Sequence, residues 1–111
     1  MNTITCTKLR EITHSKTPVL VLDIRDSIEY RQFNIGGKNY PLEVMQRYGL
    51  TEEVEKFKEE LVVICCSSMS GKRSEKAKAI LENAGFTNVK ILAGGIYTWR
   101  RIYPKDKINC L

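Results

Sequence analysis

The sequence contains little of what disulfide-rich, zinc-binding or membrane-spanning proteins need. It has one histidine, His14, and four cysteines whose spacing forms neither a disulfide framework nor paired CxxC zinc ligands. The N-terminal segment has no long apolar run, so we expect neither a signal peptide nor a membrane span. Free thiols in a reducing cytoplasm are therefore the expectation, and the sequence predicts no metal or other cofactor.

Length and charge set further limits on the class of protein. A chain of 111 residues that is 42% hydrophobic and 28% charged predicts one globular domain over residues 1–111. The formal net charge of +5 favours an anionic ligand or an acidic partner protein, although it also fits simple solubility. The dense basic and aromatic surface of a nucleic-acid binder is missing, so neither a nucleic acid nor a membrane is predicted as a partner.

Short apolar runs alternate with helical patterns along the chain. Continuous apolar runs predict buried strands over 19–22, 61–66 and 89–92, and residues 40–42 are expected to be extended. Helices are predicted over 6–13, 27–33, 51–58, 73–84 and 96–101, with Thr5 as the first N-cap and Gly85 as a C-terminal cap. This alternation predicts an α/β fold with a central parallel sheet of about five strands and helices on both faces.

Residues 62–81, VVICCSSMSGKRSEKAKAIL, carry the strongest functional signal. In parallel α/β sheets, ligands collect at the carboxyl ends of the strands, where Cys66 is expected to lie. The loop after it has small side chains, so its amides can turn inward, and the amino end of the next helix adds further N–H groups. With Lys72 and Arg73 nearby, this environment favours a thiolate at Cys66. The predicted site therefore comprises Cys66 and the loop residues Ser67, Ser68, Met69, Ser70, Gly71, Lys72 and Arg73.

Other interpretations of this stretch are weaker. Cys65 and Cys66 could both be small buried hydrophobic residues at a strand end, but alternation along a strand directs neighbouring side chains to opposite faces. A phosphate-binding P-loop requires G-x-x-x-x-G-K-[ST], and here Cys66 and Arg73 occupy the first and last positions. A Cys–His pair could use only His14, and nothing in the sequence places it near the cysteines. Cys6 and Cys110 lie near the chain ends, where mobility is expected.

The order of short motifs resembles that of a single rhodanese-like domain from about residue 5 to residue 103. The motifs are Asp23-Ile24-Arg25, Glu29-Tyr30, Gly36-Gly37, Pro41-Leu42, Val62 to Cys66, Ser70 to Ser74, Ala84 to Val89, Leu92 to Ile96, and Trp99. The stretch Asn34 to Lys38 with Pro41-Leu42 is particularly similar to rhodanese domains fused to sulfur-carrier adenylyltransferases.

The resemblance implies a sulfurtransferase with Cys66 as its catalytic cysteine. Such a cysteine takes sulfur as a persulfide from thiosulfate or a persulfide-carrying protein and passes it to a thiol, to cyanide or to an acidic sulfur-carrier protein. Aligned on Arg73-Ser74, the family's cysteine falls on Cys66. By the same resemblance, Asp23, Arg25 and Trp99 serve the structure rather than the chemistry.

One departure from the family pattern leaves alternatives open. Rhodaneses usually place four residues between the cysteine and the arginine, and phosphatase or arsenate-reductase relatives place five. Six residues separate Cys66 from Arg73, as if Ser67-Ser68 were inserted. A wider loop argues against assuming thiosulfate as the donor. It also keeps open a phosphatase or arsenate reductase, with Glu75 as a candidate acid, and a non-catalytic interaction or redox-sensing domain.

Overall fold

Two apolar segments form the centre of a parallel sheet. The computed structural model describes residues 2–67 and 72–108. In it, Val19–Asp23 is fully buried, and Leu61–Cys65 is buried apart from its first residue. The two segments pair in parallel, with Val19 opposite Leu61 and Asp23 opposite Cys65. Burial on both faces explains why these runs are continuously apolar rather than alternating.

The described residues form strands and helices in the expected alternation. The strands are β1 (Thr3–Ile4), β2 (Val19–Asp23), β3 (Lys38–Asn39), β4 (Leu61–Cys65) and β5 (Val89–Leu92). The helices are α1 (Cys6–Thr13), α2 (Ser27–Gln32), α3 (Leu42–Tyr48), α4 (Glu52–Glu55), α5 (Lys72–Asn83) and α6 (Gly95–Ile102).

The sheet has five parallel strands in the order β1-β5-β4-β2-β3. After β2 the chain continues to β3, on one side of the β2–β4 pair. After β4 it continues to β5, on the other side of that pair. The carboxyl ends of β2 and β4 therefore flank a topological switch point, the place where ligands bind in open parallel sheets.

Side chains from the strands enter two separate cores. One core, on the side of α3, α4 and α5, contains Leu20, Leu22, Val62 and Ile64. The other core, on the side of α1 and α6, contains Val21 and other alternate residues of the same strands. The predicted α/β class, with helices on both faces of the sheet, is confirmed. Within the described ranges, no helix is long and apolar enough to cross a membrane.

Side-chain caps fix where several helices begin. Thr5 accepts a hydrogen bond from the backbone of Lys8 at the start of α1, as predicted. At α2, Asp26 accepts from the backbone of Glu29, and the Glu29 carboxylate accepts from the backbone of Asp26. This reciprocal capping box sets the position of Glu29 on the first turn of α2.

Three expectations for local structure were wrong. Leu42 was expected in an extended segment but begins α3, since Pro41 is well suited to precede a first helical turn. The helix predicted through Lys58 ends at Glu55, where hydrogen bonds from Phe57 to Val54 and from Lys58 to Glu55 tighten the chain into turns. Strand β4 ends at Cys65 rather than at Cys66.

Candidate active site

Cys66 lies at the switch point between β2 and β4. It is the first residue after β4, and the preceding Cys65 is opposite Asp23, the last residue of β2. The backbone N–H of Ile24 donates to the carbonyl of Cys65 at 3.1 Å, which holds the two strand ends together. The fold therefore places Cys66 where parallel sheets bind ligands.

The two adjacent cysteines face opposite sides of the sheet. Cys65 packs in the core beneath α1 and α6, whereas Cys66 packs at the edge of the core beneath α3 and α5. Only 3% of Cys66 is exposed, and Cys65 is completely buried. Cys66 thus shares its side of the sheet with α5, the helix that carries Arg73.

The first turn of α6 fixes the backbone at the candidate site. The N–H of Ile96 donates to the carbonyl of Cys66 at 2.8 Å, and the N–H of Tyr97 donates to the carbonyl of Ser67 at 3.2 Å. Gly94 allows the first turn of α6 to come this close to Cys66 because it adopts a left-handed conformation, with φ of 79°. The Gly94-Gly95 turn therefore anchors the backbone of the candidate nucleophile.

Arg73, Glu29 and Ser67 form a small polar cluster beside Cys66. The Arg73 Nη1 donates to Glu29 Oε1 at 2.9 Å, and its Nη2 is 3.4 Å from the Ser67 hydroxyl oxygen. The Ser67 hydroxyl in turn donates to Glu29 Oε2 at 3.4 Å. Arg73 and Glu29 are 44 positions apart in the chain, and α5 and α2 bring them together.

Two guanidinium groups interact electrostatically with Cys66. The hydrogen bond with Glu29 raises the pKa of Arg73, and the charge of Cys66 and a side-chain hydrogen bond with it act in the same direction. Burial lowers the pKa of Arg25, but Asp23, Glu29 and the charge of Cys66 outweigh burial and raise it overall. Arg25 and Arg73 are therefore both close enough to Cys66 for their charges to interact with its side chain.

Arg25 is itself held by a buried carboxylate. Its Nη2 and Nε donate to Asp23 at 2.8 and 3.0 Å, and its Nη2 also donates to the carbonyl of Phe33 at 2.7 Å. Asp23 is completely buried and Arg25 is 4% exposed. The pair joins the end of β2 to the end of α2, which supports the structural role expected for it. The charge of Arg25 also interacts with Cys66.

A cavity of about 380 Å³ opens beside Arg73. Its lining combines apolar side chains with the polar groups of Asp26, Glu43, Gln46 and Arg73. Its lining residues are Ile24, Asp26, Pro41, Leu42, Glu43, Gln46 and Arg73. The cavity is large enough for a small organic ligand next to the polar cluster.

Comparison with known protein families gives the assignment. Residues 5–102 match the family described as Rhodanese-like domain. The chain belongs to the rhodanese-like family.

Curated relatives of this rhodanese-like chain are named sulfurtransferases. It is 30% identical over 89 residues to "Thiosulfate sulfurtransferase GlpE" of Stutzerimonas stutzeri, covering 78% of this chain and 75% of the relative. It is 29% identical over 108 residues to "Adenylyltransferase and sulfurtransferase MOCS3-1" of Zea mays, covering 93% of this chain. The matched region is only 22% of the maize protein's length.

Solved structures with the same fold come from bacteria and eukaryotes. A rhodanese-like domain protein from Staphylococcus aureus is 27% identical, with a TM-score of 0.71 and coverage of 89% of this chain and 91% of that one. The single-domain sulfurtransferase RDL2 of Saccharomyces cerevisiae is 21% identical, with a TM-score of 0.76 and coverage of 96% and 94%. The second likeness supports the fold alone.

The structure describes part of the predicted loop of this rhodanese-like domain. Cys66, Ser67, Lys72 and Arg73 are described, and Ser67 and Arg73 belong to the polar cluster. Lys72 is exposed at the start of α5. Ser68, Met69, Ser70 and Gly71 lie outside the described residues, so the site assignment for them stays a prediction.

Sequence reasoning did not assign Glu29 to the site. Glu29 was noted only among the motifs of the rhodanese-like pattern, and its contacts with Arg73 and Ser67 place it in the polar cluster. The one local signal was its position three residues after Asp26 in a capping box, which fixes its place on α2. That signal does not reveal which element the carboxylate faces.

The hydrogen bonds of the polar cluster do not include the remaining candidate residues. His14 caps the end of α1 and is exposed. It lies five residues before the amino-terminal end of β2, whereas Cys66 follows the carboxyl end of β4. Glu75 is exposed on the first turn of α5. The expectation of a mobile Cys6 was wrong, because Cys6 is 3% exposed and packs in the core beneath α6. Cys110 lies outside the described residues.

Proposed function

We propose that this rhodanese-like domain is a sulfurtransferase that carries sulfur as a persulfide on Cys66. The observation that carries the proposal is the position of Cys66 at the switch point of the sheet, beside the Arg73 guanidinium. A cation next to a thiol favours the thiolate, which is the nucleophilic form of cysteine. The proposed compartment is the cytoplasm, where thiols stay reduced.

The proposed reaction has two displacement steps. In the first, the Cys66 thiolate attacks the sulfane sulfur of the donor, a Cys66–S–S bond forms, and the donor's S–S bond breaks. The departing group keeps the bonding electron pair and leaves as sulfite from thiosulfate, or as a thiolate from a persulfide. In the second, an acceptor thiolate attacks the outer sulfur, and Cys66 returns to its thiolate form.

The names of the relatives support two classes of substrate. One relative is a thiosulfate sulfurtransferase, so thiosulfate is one proposed donor, and a persulfide-carrying protein is the other. Another combines adenylyltransferase and sulfurtransferase in its name, which supports an acidic sulfur-carrier protein as one acceptor besides small thiols. The net charge of +5 would favour association with such an acidic partner.

Mass measurement of the loaded protein tests the proposal. Purified protein is incubated separately with thiosulfate and with an organic persulfide, desalted, and weighed intact. We expect the mass to increase by one sulfur atom, and the increase to be absent in Cys66→Ser. Cys65→Ser is the matched control, since its side chain faces the other core, and it should still load.

Two results would contradict the assignment. Loss of loading in Cys65→Ser with loading retained in Cys66→Ser would move the persulfide to the other cysteine. No added mass with either donor would favour the alternatives: a phosphatase or arsenate reductase, or a non-catalytic domain. An assay with a phosphate ester or arsenate separates the first alternative, and salt-sensitive partner binding without persulfide separates the second.

A further inference from the structure

Arg73, one of the two cations that interact with Cys66, already has an anionic partner. Arg73 donates to Glu29 at 2.9 Å, and Ser67, the residue after Cys66, donates to the other oxygen of the same carboxylate at 3.4 Å. The Arg73 and Glu29 side chains are 40% and 32% exposed, and each lines a cavity: Arg73 the one of about 380 Å³, and Glu29 a smaller one of about 170 Å³ that it shares with Arg25 and Arg100. The Glu29 carboxylate therefore lies where an anionic group of a donor would need to bind.

The second guanidinium near Cys66 is also paired. Arg25 and Asp23 form a buried ion pair, with Nη2–Oδ2 at 2.8 Å. Each of the two guanidinium groups that interact with Cys66 is thus paired with a carboxylate, so neither is an unopposed positive charge for an anionic donor. Lys72 and Arg100 are nearby cations but both are exposed, where water and salt weaken their attraction for an anion.

This charge arrangement should affect binding of thiosulfate and of an organic persulfide differently. Thiosulfate brings two negative charges to a thiolate and must compete with Glu29 for the Arg73 donors. An organic persulfide carries at most one negative charge, and it loses that charge when its terminal sulfur is protonated. Repulsion by Glu29 therefore increases with the charge of the donor.

We propose that Glu29 is a specificity-determining residue that selects organic persulfide donors over the thiosulfate dianion. The selection rests on the proposed function, because it concerns how Cys66 is loaded with sulfur. In the favoured step, Cys66–S⁻ and R–S–SH give Cys66–S–SH and R–S⁻, so the outer sulfur is transferred and the thiolate leaves with the electron pair. In the disfavoured step, Cys66–S⁻ and S₂O₃²⁻ give Cys66–S–S⁻ and SO₃²⁻.

The Glu29→Gln variant tests the selection directly. Glutamine keeps the length of the side chain and an oxygen that can accept from Arg73, but it removes the negative charge. Loading of Cys66 is followed by intact mass against time, with inorganic thiosulfate as one donor and 2-hydroxyethyl persulfide as the other. We expect Glu29→Gln to raise the ratio of the second-order loading rate with thiosulfate to that with the persulfide about tenfold.

Glu59→Gln is the charge-matched control. Glu59 is exposed in the turn before β4, at the opposite end of that strand from Cys66. Its variant removes one negative charge from the protein, as Glu29→Gln does. We expect its loading rates to match those of the wild type with both donors. An equal gain with thiosulfate in Glu59→Gln would assign the effect to net charge and overturn the role of Glu29.

A second measurement does not depend on thiosulfate chemistry. Inorganic sulfate should inhibit loading from 2-hydroxyethyl persulfide about tenfold more strongly in Glu29→Gln than in the wild type, because no carboxylate then repels the anion at Arg73. Equal changes with both donors, or unchanged inhibition by sulfate, would overturn the selective role of Glu29 and leave the sulfurtransferase proposal standing. Failure of both donors to load the wild type would instead overturn the sulfurtransferase proposal itself.

Discussion

Asp23 and Arg25 form a two-point ion pair at the carboxyl edge of the sheet. Nη2 and Nε of Arg25 lie 2.8 and 3.0 Å from the two carboxylate oxygens of Asp23, and the Asp23 carboxylate also accepts from the backbone N–H of Arg25. Both side chains are at most 5% exposed. A buried charge without its partner is far more costly than an exposed one.

Asp23→Asn should therefore destabilise the fold strongly. The substitution leaves the Arg25 guanidinium buried without an opposing charge, so we expect a loss of about 3–5 kcal/mol in the free energy of unfolding. Urea denaturation followed by circular dichroism measures it. Glu11→Gln, which removes the exposed ion pair with Lys8, is the control and should cost less than about 1 kcal/mol. A similar small loss for both variants would contradict the prediction.

The Glu29–Arg73 ion pair should make stability depend on pH. The hydrogen bond with Arg73 lowers the pKa of Glu29 in the folded protein. The pair therefore contributes stability above the unfolded pKa of about 4.3, and this contribution is lost as the pH falls through the lower folded pKa. Relative to Glu29→Gln, the wild type should lose stability between about pH 5 and pH 3.

The direction of this pH dependence is checked by measuring the urea midpoints of the wild type and Glu29→Gln at several pH values between about pH 5 and pH 3. Glu53→Gln is the comparison, because Lys38 lowers the pKa of Glu53 at an exposed position on α4, outside the polar cluster. A difference between the wild type and Glu29→Gln that stays constant with pH would contradict the prediction.

Much of the fold could be predicted from the sequence because burial pattern and helix caps are local signals. The apolar runs at β2 and β4 identify strands covered on both faces, and their alternation with helical patterns indicates a parallel sheet. Gly85 adopts φ of 99° after α5, as expected for a helix C-terminal cap. By contrast, α3 was missed because Tyr40-Pro41-Leu42 was interpreted as extended, although Leu42 and Met45 are buried one helical turn apart.

The candidate site was only partly predictable, for a physical reason. Cys66 and Arg73 lie on one β-loop-α unit, so their proximity follows from local order along the chain. Glu29 belongs to a different unit, and its contact with Arg73 depends on how α2 and α5 are placed around the switch point. Spacing within a sequence carries no information about such a contact.

Cys6 should react slowly with alkylating reagents in the folded protein. Burial raises the pKa of its thiol, and the charge of Arg101 offsets only part of that effect. Its Sγ donates to the carbonyl of Ala93 at 3.7 Å, on the side of the sheet away from Cys66. We expect iodoacetamide to label Cys6 at least about a hundredfold more slowly in the native protein than in urea, since labelling requires local opening.

Peptide mapping by mass spectrometry after timed labelling measures that ratio for each cysteine separately. The same protein in urea provides the reference rate for every thiol. Labelling of Cys6 at a similar rate in both conditions would show that the amino end of α1 opens freely.

Ser74 presents a buried hydroxyl at the amino-terminal part of α5. It is 2% exposed, and its oxygen has no hydrogen-bond partner among the residues that the structure describes. The same helix face continues with Ala77 and Leu81, which pack in the core that contains Cys66. A buried hydroxyl that loses water without gaining a partner costs free energy in the folded state.

Ser74→Ala should therefore leave stability unchanged or raise it by about 1 kcal/mol, because alanine removes the unpaired hydroxyl and favours the helix. Urea denaturation measures the change, and Ser15→Ala is the control. The Ser15 hydroxyl donates to the carbonyl of Ile12 at 2.7 Å, so its removal should cost about 0.5–1 kcal/mol. A loss above about 1 kcal/mol in Ser74→Ala would contradict the prediction.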